Sequence, residues 1–527
     1  MKYVAGAIAG AVSLGLVAAV QAAEPAKGSL TIAQAAEATM TDITRYRAGV
    51  DTYIMGNVFE QLTQPDPSLE IKNWLAEKWN VHEEDGKPVI EVWLRKGVKF
   101  HHGGELTSQD MVYAQQRLSN KDIATWPHYQ KNVDRTEVID DHHFKIHFSG
   151  PDGLYVPNNL QLYGISKDYY ESHSEEEIQA APDGTGPWKM VGHKVKEEFN
   201  LEAHDDYWNE EHRPTVKNLT VKIIPEDITR VAALQTGAVD WIDAVPPAMV
   251  EDVQGMDGIA TASRPSGNNI FMSMAQYLDK LPGMADNPFK DVRVRKAAAL
   301  AVDMDGIIEN VLFGQGQRYA AVTPGGNGYD PDLHPYGYDP AQAKQLMTEA
   351  GYPNGFDVNC YNLITPREPN IKEYGEAFYA YLGQVGIRCK LIGEEYAPWL
   401  ARNARGREPQ NDGILLHMWG QGVVADPGQH WSGMTHCTKP GEGWGSYSHF
   451  CDPELDEMIE EQASIMDPAV RNPLLRKIGQ MTHDKVAGVK AYIPLVTFAW
   501  RETKVDYKPW PWLGFWRKLQ EIGLKQQ

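Results

Sequence analysis

Apolar and polar positions repeat along this chain with two periods, and the elements follow from them. Val92 and Leu94, set among polar Glu91, Arg95 and Lys99, repeat every second residue and predict a half-buried strand running to a turn at Gly103-Gly104. Phe144, Ile146 and Phe148 alternate in the same way after Asp140-Asp141 and predict one arm of a strand pair. Residues 29–33 and 414–418 predict further strands. Helices are marked by their ends. Thr107 with Asp110 three residues on is a capping box, and Asp291 reads as a second cap. Asp339-Pro340 opens a helix that Gly351 ends, and residues 228–236 form an amphipathic helix stopped at Gly237. Strands and helices in this mixture predict an α/β protein.

At 527 residues the chain is long enough for two or three domains and a large core. Residues 1–23 read as a secretory signal: Lys2, an apolar run over 4–20, and Val20-Gln21-Ala22 as the cleavage site before Ala23 or Glu24. The run is short and rich in Ala and Gly, no second apolar span follows, and no cysteine stands at the cleavage point. A membrane or lipid anchor is therefore not expected, and the mature protein is expected free in a bacterial periplasm. The net charge of −21 is dispersed, and without a Lys/Arg-rich run nucleic acid is excluded as a partner. Fifteen tryptophans and twenty-four tyrosines suit a binding cleft as well as cores.

The four cysteines allow three pairings. Cys360 and Cys389 lie in strand-like runs flanking a helix, as neighbours in a βαβ unit would, and Cys437 and Cys451 bracket a Gly-rich loop, so these two pairs are favoured. Without a Cys-x-x-Cys spacing a metal site is not expected. His101-His102 and His142-His143 have no ligand-spaced carboxylate or cysteine and read as surface histidines. His436 and His449 flank Trp444 and leave a partly histidine-held chelate open. Gly420-Gln421-Gly422-Val423-Val424-Ala425 fits a dinucleotide pattern, but Asp426-Pro427-Gly428 interrupts the helix such a site needs. H-E-x-x-H, G-x-S-x-G and phosphate loops are absent, so no cofactor is expected and a secreted hydrolase is only a second class.

Leu94-Arg95-x-Gly97-Val98-x-Phe100-x-x-Gly103, followed by Thr107-x-x-Asp110, resembles the signature of the family 5 extracytoplasmic solute-binding proteins, the peptide, opine and nickel receptors of ABC importers. Phe59-Glu60-Gln61-Leu62, Gly184-Thr185-Gly186-Pro187-Trp188, Asp206-Tyr207-Trp208, Gly237 to Asp240, and Pro288-Phe289 to Lys296 resemble further motifs of that family, in its order. The resemblance implies a two-lobed periplasmic binding protein with a ligand cleft between the lobes. Lobe I is then 24–264, with an extra subdomain at about 56–181, lobe II is 265–496, and 497–527 returns to lobe I. The crossings fall near residues 264–274 and 492–498, the latter an apolar run broken by Pro494.

It also implies a monomeric, non-catalytic receptor that closes on a small polar solute and delivers it to an inner-membrane ABC permease. Peptides come first, then opines, oligosaccharides and nickel chelates. Trp419-Gly420 with Asp426-Pro427 match the family's second-lobe cleft loop, so Trp419, Gly420 and Gln421 are implied ligand residues. Dipeptide-type receptors carry an aspartate three residues after that Trp to hold the ligand's ammonium. Gly422 stands there, and an extra residue precedes Asp426. Trp126 sits where nickel-type receptors place a pocket tryptophan, or else is a core aromatic at a helix end. Arg47 and Thr52 lie on the approach to the first family helix, where ligand contacts occur, with a solvated surface as the other reading for Arg47. Trp444 belongs to the cleft-side loop between Cys437 and Cys451, a bridge with similar spacing to one in related peptide receptors.

Overall fold

The computed structural model describes residues 26–46, 49–125, 127–157, 162–365, 368–404, 411–420, 426–437, 450–510 and 518–525. The strand Val489–Arg501, thirteen residues long, joins the two halves of the main sheet. Its first part pairs antiparallel with Asn268–Met274, placing Ile270 opposite Tyr492. Its second part pairs with Trp241–Val245 on one side and Ile259–Pro265 on the other. Pro494, which interrupts the apolar run in sequence, lies within the strand. Proline lacks an amide to donate, and Pro494 sits where the strand exchanges partners, with its carbonyl accepting from Ser266 N–H at 2.7 Å.

From that strand the sheet runs outward through Asn268–Met274 and Gly413–Gly420 to the parallel pair Phe356–Leu363 and Ile387–Glu394. In the other direction it continues through Trp241–Val245 and Ser29–Gln34 to Asn218–Ile223, Glu198–Ala203 and Trp188–Lys194. The parallel pair is joined by the helix Ile371–Gln384, a βαβ unit, and Cys360 and Cys389 on its two strands are bridged with their Cα atoms 5.4 Å apart. Cys437 and Cys451 form the second disulfide.

Separate cores lie along this sheet. One packs Ile270, Met272, Leu416, Tyr374 and Phe378, and another Ile32, Trp188, Leu201, Val221, Trp241 and Phe498. A third belongs to a four-stranded antiparallel sheet ordered Ala76–Glu84, Lys87–Leu94, His143–Phe148, Val133–Asp140. The alternation read from sequence faces inward here: Val92, Leu94, Phe144, Ile146 and Phe148 are all buried, under Met111 and Leu118 of the helix Ser108–Ser119. That helix starts with the expected capping box, the Thr107 amide donating to Asp110 at 2.9 Å. Met466, from far along the chain, is buried in the same core.

The other predicted ends also form. Asp291 and Asp339 cap their helices through side-chain oxygens, and Gly237 closes Asp227–Thr236 at φ +78°, a left-handed conformation open to glycine. Among the described residues no helix is long and apolar enough to cross a membrane. The segment read as a secretory signal lies outside them.

Candidate ligand-binding site

Several motifs that resemble family signatures converge on a buried support. Glu60, 1 % exposed, accepts four hydrogen bonds: from Trp74 Nε1 and Tyr207 OH at 2.6 Å each, from Thr185 Oγ1 at 2.9 Å and from Trp208 Nε1 at 3.1 Å. Burial pushes its carboxyl up, while the four donors pull it back. The Gly-Thr-Gly turn carrying Thr185 lies so close to the first helix that a Cβ at Gly184 or Gly186 would run into the backbone of Asn57 and Val58. Lys518 of the C-terminal segment comes back to this place, over the Trp74 ring.

His101 belongs to the same support and corrects the expectation of surface histidines. It is buried, donates from Nε2 to the Gly186 carbonyl at 2.9 Å and accepts the Gly184 amide on Nδ1. The surface reading failed because the Gly-Thr-Gly turn, some eighty residues on, covers it. His102, His142 and His143 are more open and pair singly with Asp183, Glu105 and Glu91. Among the described residues no group of three or more His, Cys, Asp or Glu is arranged to hold a metal.

Burial, with His204 nearby, pulls the His101 imidazole down to about 3, so it is neutral when folded. Between its ordinary value of 6.5 and about 3 the unfolded chain binds the extra proton. Stability therefore falls as pH falls through that window, by at most about 1.4 kcal/mol per pH unit. His101→Gln keeps a donor for Gly186 and should flatten this acid limb in urea titrations run at a series of pH values. An unchanged slope would assign the limb to other groups.

On the far side of the shared strand, Gly413–Gly420 runs antiparallel to Asn268–Met274, which sets Trp419 opposite Asn269 at the strand end. Asn269 is 1 % exposed; its Oδ1 accepts from Thr323, and its Nδ2 finds no partner among the described residues. Among the described residues this leaves a buried amide donor open, opposite Trp419 in the strand register.

Where the chain is next described, Asp426 fixes the end of that loop. Its carboxylate takes Arg471 Nη1 at 2.6 Å and Nη2 at 2.9 Å, Asn327 Nδ2 at 2.8 Å and the Gly428 amide at 2.9 Å. Burial alone would raise the Asp426 carboxyl; the Arg471 guanidinium beside it prevails and holds it below the usual carboxylate range. Arg471 is secured in turn by the backbone and side-chain oxygens of Gln462.

Gln429, three residues after Asp426, donates from Nε2 to the Tyr129 hydroxyl at 2.7 Å. Burial keeps the Tyr46 hydroxyl protonated, and the neighbouring Tyr163, Tyr129 and Asp51 reinforce this. Tyr46, Tyr163 and Tyr129 of the N-terminal part thus lie near one another, with Asp51 beside Tyr46, and Tyr129 alone of them is bonded to Gln429.

Of the residues singled out from sequence, Thr52 lies in the first turn of Asp51–Val58, its hydroxyl donating to the Gly49 carbonyl at 2.6 Å. Trp419 and Gly420 are placed by their backbone at the strand end. Arg47, Trp126, Gln421 and Trp444 lie outside the described residues. Sequence reading missed Asn269, Tyr129 and Gln429. Asn269 had a local signal, a polar residue just after a Pro-Ser-Gly turn where an apolar strand begins; the other two had none.

The E. coli dipeptide-binding protein is 25% identical over 79% of this chain and 80% of its own length. Heme-binding protein A of Haemophilus influenzae is 26% identical over 79% and 78%. The Helicobacter pylori ABC transporter-associated periplasmic binding protein DppA, solved with the peptide STSA, superposes with a TM-score of 0.72 at 22% identity, covering 95% of this chain and 99% of that one. These are periplasmic-binding-protein folds, and the two-lobed α/β class expected from sequence is the one found. The model of the bacterial extracellular solute-binding proteins, family 5 (middle), matches residues 70–443, well over half of the sequence, and the chain belongs to that family.

Proposed function

We propose that the mature chain is the periplasmic receptor of an ABC importer, without catalytic activity of its own, that captures a peptide or peptide-like solute between two lobes. Residues 24–264 and 497–527 make one lobe, with the extra subdomain at about 56–181, and residues 265–496 make the other. The signal 1–23 is removed and the monomer is released into the periplasm, where its closed form meets the permease. Ligand contacts made on both lobes at once exist only in the shut state, so binding shifts the balance towards closure.

The observation that carries this reading is the meeting of Tyr129 with Gln429 across the two parts of the chain, and the open amide of Asn269 opposite Trp419 supports it. Neutral hydroxyls and amides suit a ligand with several hydrogen-bonding groups and little net charge. The dipeptide-binding relative supports a peptide. Gly422, in place of an ammonium-holding aspartate, favours one whose amino end is blocked or held elsewhere. Titration calorimetry with free and N-acetylated dipeptides tests this: the acetylated series should bind at least as well. Hydrolysis of either series would instead favour a secreted hydrolase.

Trp419→Ala should cost on the order of 2 kcal/mol in affinity for whichever of these binds, since tryptophans anchoring a binding surface commonly carry that much. Trp126→Ala should act in the same direction but more weakly. Unchanged affinity in a normally folded Trp419→Ala protein would remove Trp419 from the pocket.

A further inference from the structure

The extra subdomain touches the second lobe far from the shared strand, through a glycine. The turn over residues 152–155 is fixed by Asp152, whose carboxylate accepts from Asn132 Nδ2 and the Leu154 amide at 3.1 Å each, and by Tyr155, buried in the subdomain core. This turn presents the Gly153 amide to the Ala463 carbonyl at 2.7 Å, in the last turn of the helix Pro453–Ser464. Helix ends leave carbonyls without intrahelical donors, so the contact satisfies one of them from another part of the molecule. A Cβ on Gly153 would stand 2.5 Å from the Ile465 carbonyl oxygen, 2.6 Å from that of Gln462 and 3.1 Å from that of Ala463. All three are backbone atoms, which cannot swing aside as a side chain does. Close approach, not backbone conformation, demands glycine here.

Three other contacts join the same two bodies. Met466, just past that helix, is buried in the subdomain core. Leu69 Cδ1 lies 3.7 Å from where a Cβ of Gly325 would be. Tyr129 accepts from Gln429. The helix end that receives Gly153 also secures the cleft loop, because Gln462 gives both its oxygens to Arg471, which clamps Asp426. A continuous set of hydrogen bonds and packed atoms thus runs from the subdomain turn to the loop that follows Trp419.

We propose that Gly153 is a positioning residue for ligand capture: it engages the helix end when the lobes are shut and ties the extra subdomain to the anchor of the cleft loop. The proposal rests on the two-lobed receptor reading, with closure as its two-state element. Closure in this chain then includes docking of the subdomain onto lobe II, not only bending at the shared strand. Adding a side chain at Gly153 weakens the shut state while leaving both bodies folded.

The test compares Gly153→Ala and Gly153→Val with Gly150→Ala and Gly150→Val, since a Cβ at Gly150 meets nothing within 4 Å. Hydrogen exchange is followed in wild type and variants, each alone and with a pool of free and N-acetylated dipeptides. In wild type, residues 460–466 and the Gly153 amide should be protected. Both Gly153 variants should exchange about tenfold or more faster over 460–466, and small-angle scattering should give them a larger radius of gyration. The strand Lys87–Leu94 should stay protected, which separates loss of docking from loss of fold; if valine disturbs that strand, the alanine variant decides. Equal exchange over 460–466 in the Gly153 and Gly150 variants would overturn the proposal, as would absence of protection there in wild type under both conditions. Failure of every dipeptide to bind would count against the peptide reading, and the comparison of the Gly153 with the Gly150 variants without ligand would still decide the docking.

Discussion

Arg471→Met should destabilise the protein by about 3–5 kcal/mol, the usual cost of removing one partner from a buried ion pair. Arg471 and Asp426 side chains are 3 % and 8 % exposed and joined by two hydrogen bonds at 2.6 and 2.9 Å. Among the described residues, removing the guanidinium leaves a buried carboxylate supported by Asn327 and the Gly428 amide alone. The pH dependence should change sign with it. In the native protein the Asp426 carboxyl is held below its ordinary value, so its contribution is present above that value and is lost as pH falls through the lowered one. Without Arg471 burial dominates, the carboxyl rises, and this site loses stability as pH rises instead. Urea unfolding at several pH values would show both effects, and a cost below about 1 kcal/mol would mean that water reaches the pair. If the proposed receptor reading holds, ligand affinity should fall too, since Asp426 closes the segment that follows Trp419.

Glu60→Ala should be nearly as severe, on the order of 4 kcal/mol, because each buried donor left unpaired costs about 1–3 kcal/mol. Four donors lose their acceptor: two indoles, a phenol and a threonine hydroxyl. Glu60→Gln discriminates this from a simple loss of volume. Trp74 and Trp208 donate to different carboxylate oxygens, and an indole N–H cannot accept, so a glutamine amide must face one of them in either orientation. Glu60→Gln should therefore cost about 1–3 kcal/mol despite its equal size. Thermal or urea unfolding of the two variants would check the order, and a neutral Glu60→Gln would contradict the four-donor account.

Much of the local structure was legible from the residues. The inward faces of Lys87–Leu94 and His143–Phe148, the Thr107–Asp110 cap and the Gly237 stop follow from period or end chemistry, and the Cys360–Cys389 pair from strand adjacency in one βαβ unit. The Cys437–Cys451 pair rests instead on its bracketing of a Gly-rich loop and on the family resemblance. What escaped depends on partners set by tertiary packing. Glu60 and Asp206-Tyr207-Trp208 were recognisable as motifs, but nothing in either stretch says that the carboxylate accepts from Tyr207 and Trp208. His101 looked like a surface histidine because its cover comes from Gly184 and Gly186. Pro494 interrupts the apolar run in sequence, but nothing nearby in the chain says that the strand passes through it where the partners change. In the candidate site, the resemblance that singles out Trp419 rests on its glycine and the Asp-Pro that follows, and the backbone places it at a strand end. Tyr129 and Gln429, 300 residues apart in the chain, meet only through tertiary packing.

The most direct test of the central claim, capture of a small solute by lobe closure, is native mass spectrometry of the protein purified from its own source. The account predicts a mature chain beginning at Ala23 or Glu24 and carrying one peptide-sized adduct, released intact on denaturation and lost from Trp419→Ala first. Only bare mature chain, or an adduct released as hydrolysis fragments, would contradict it.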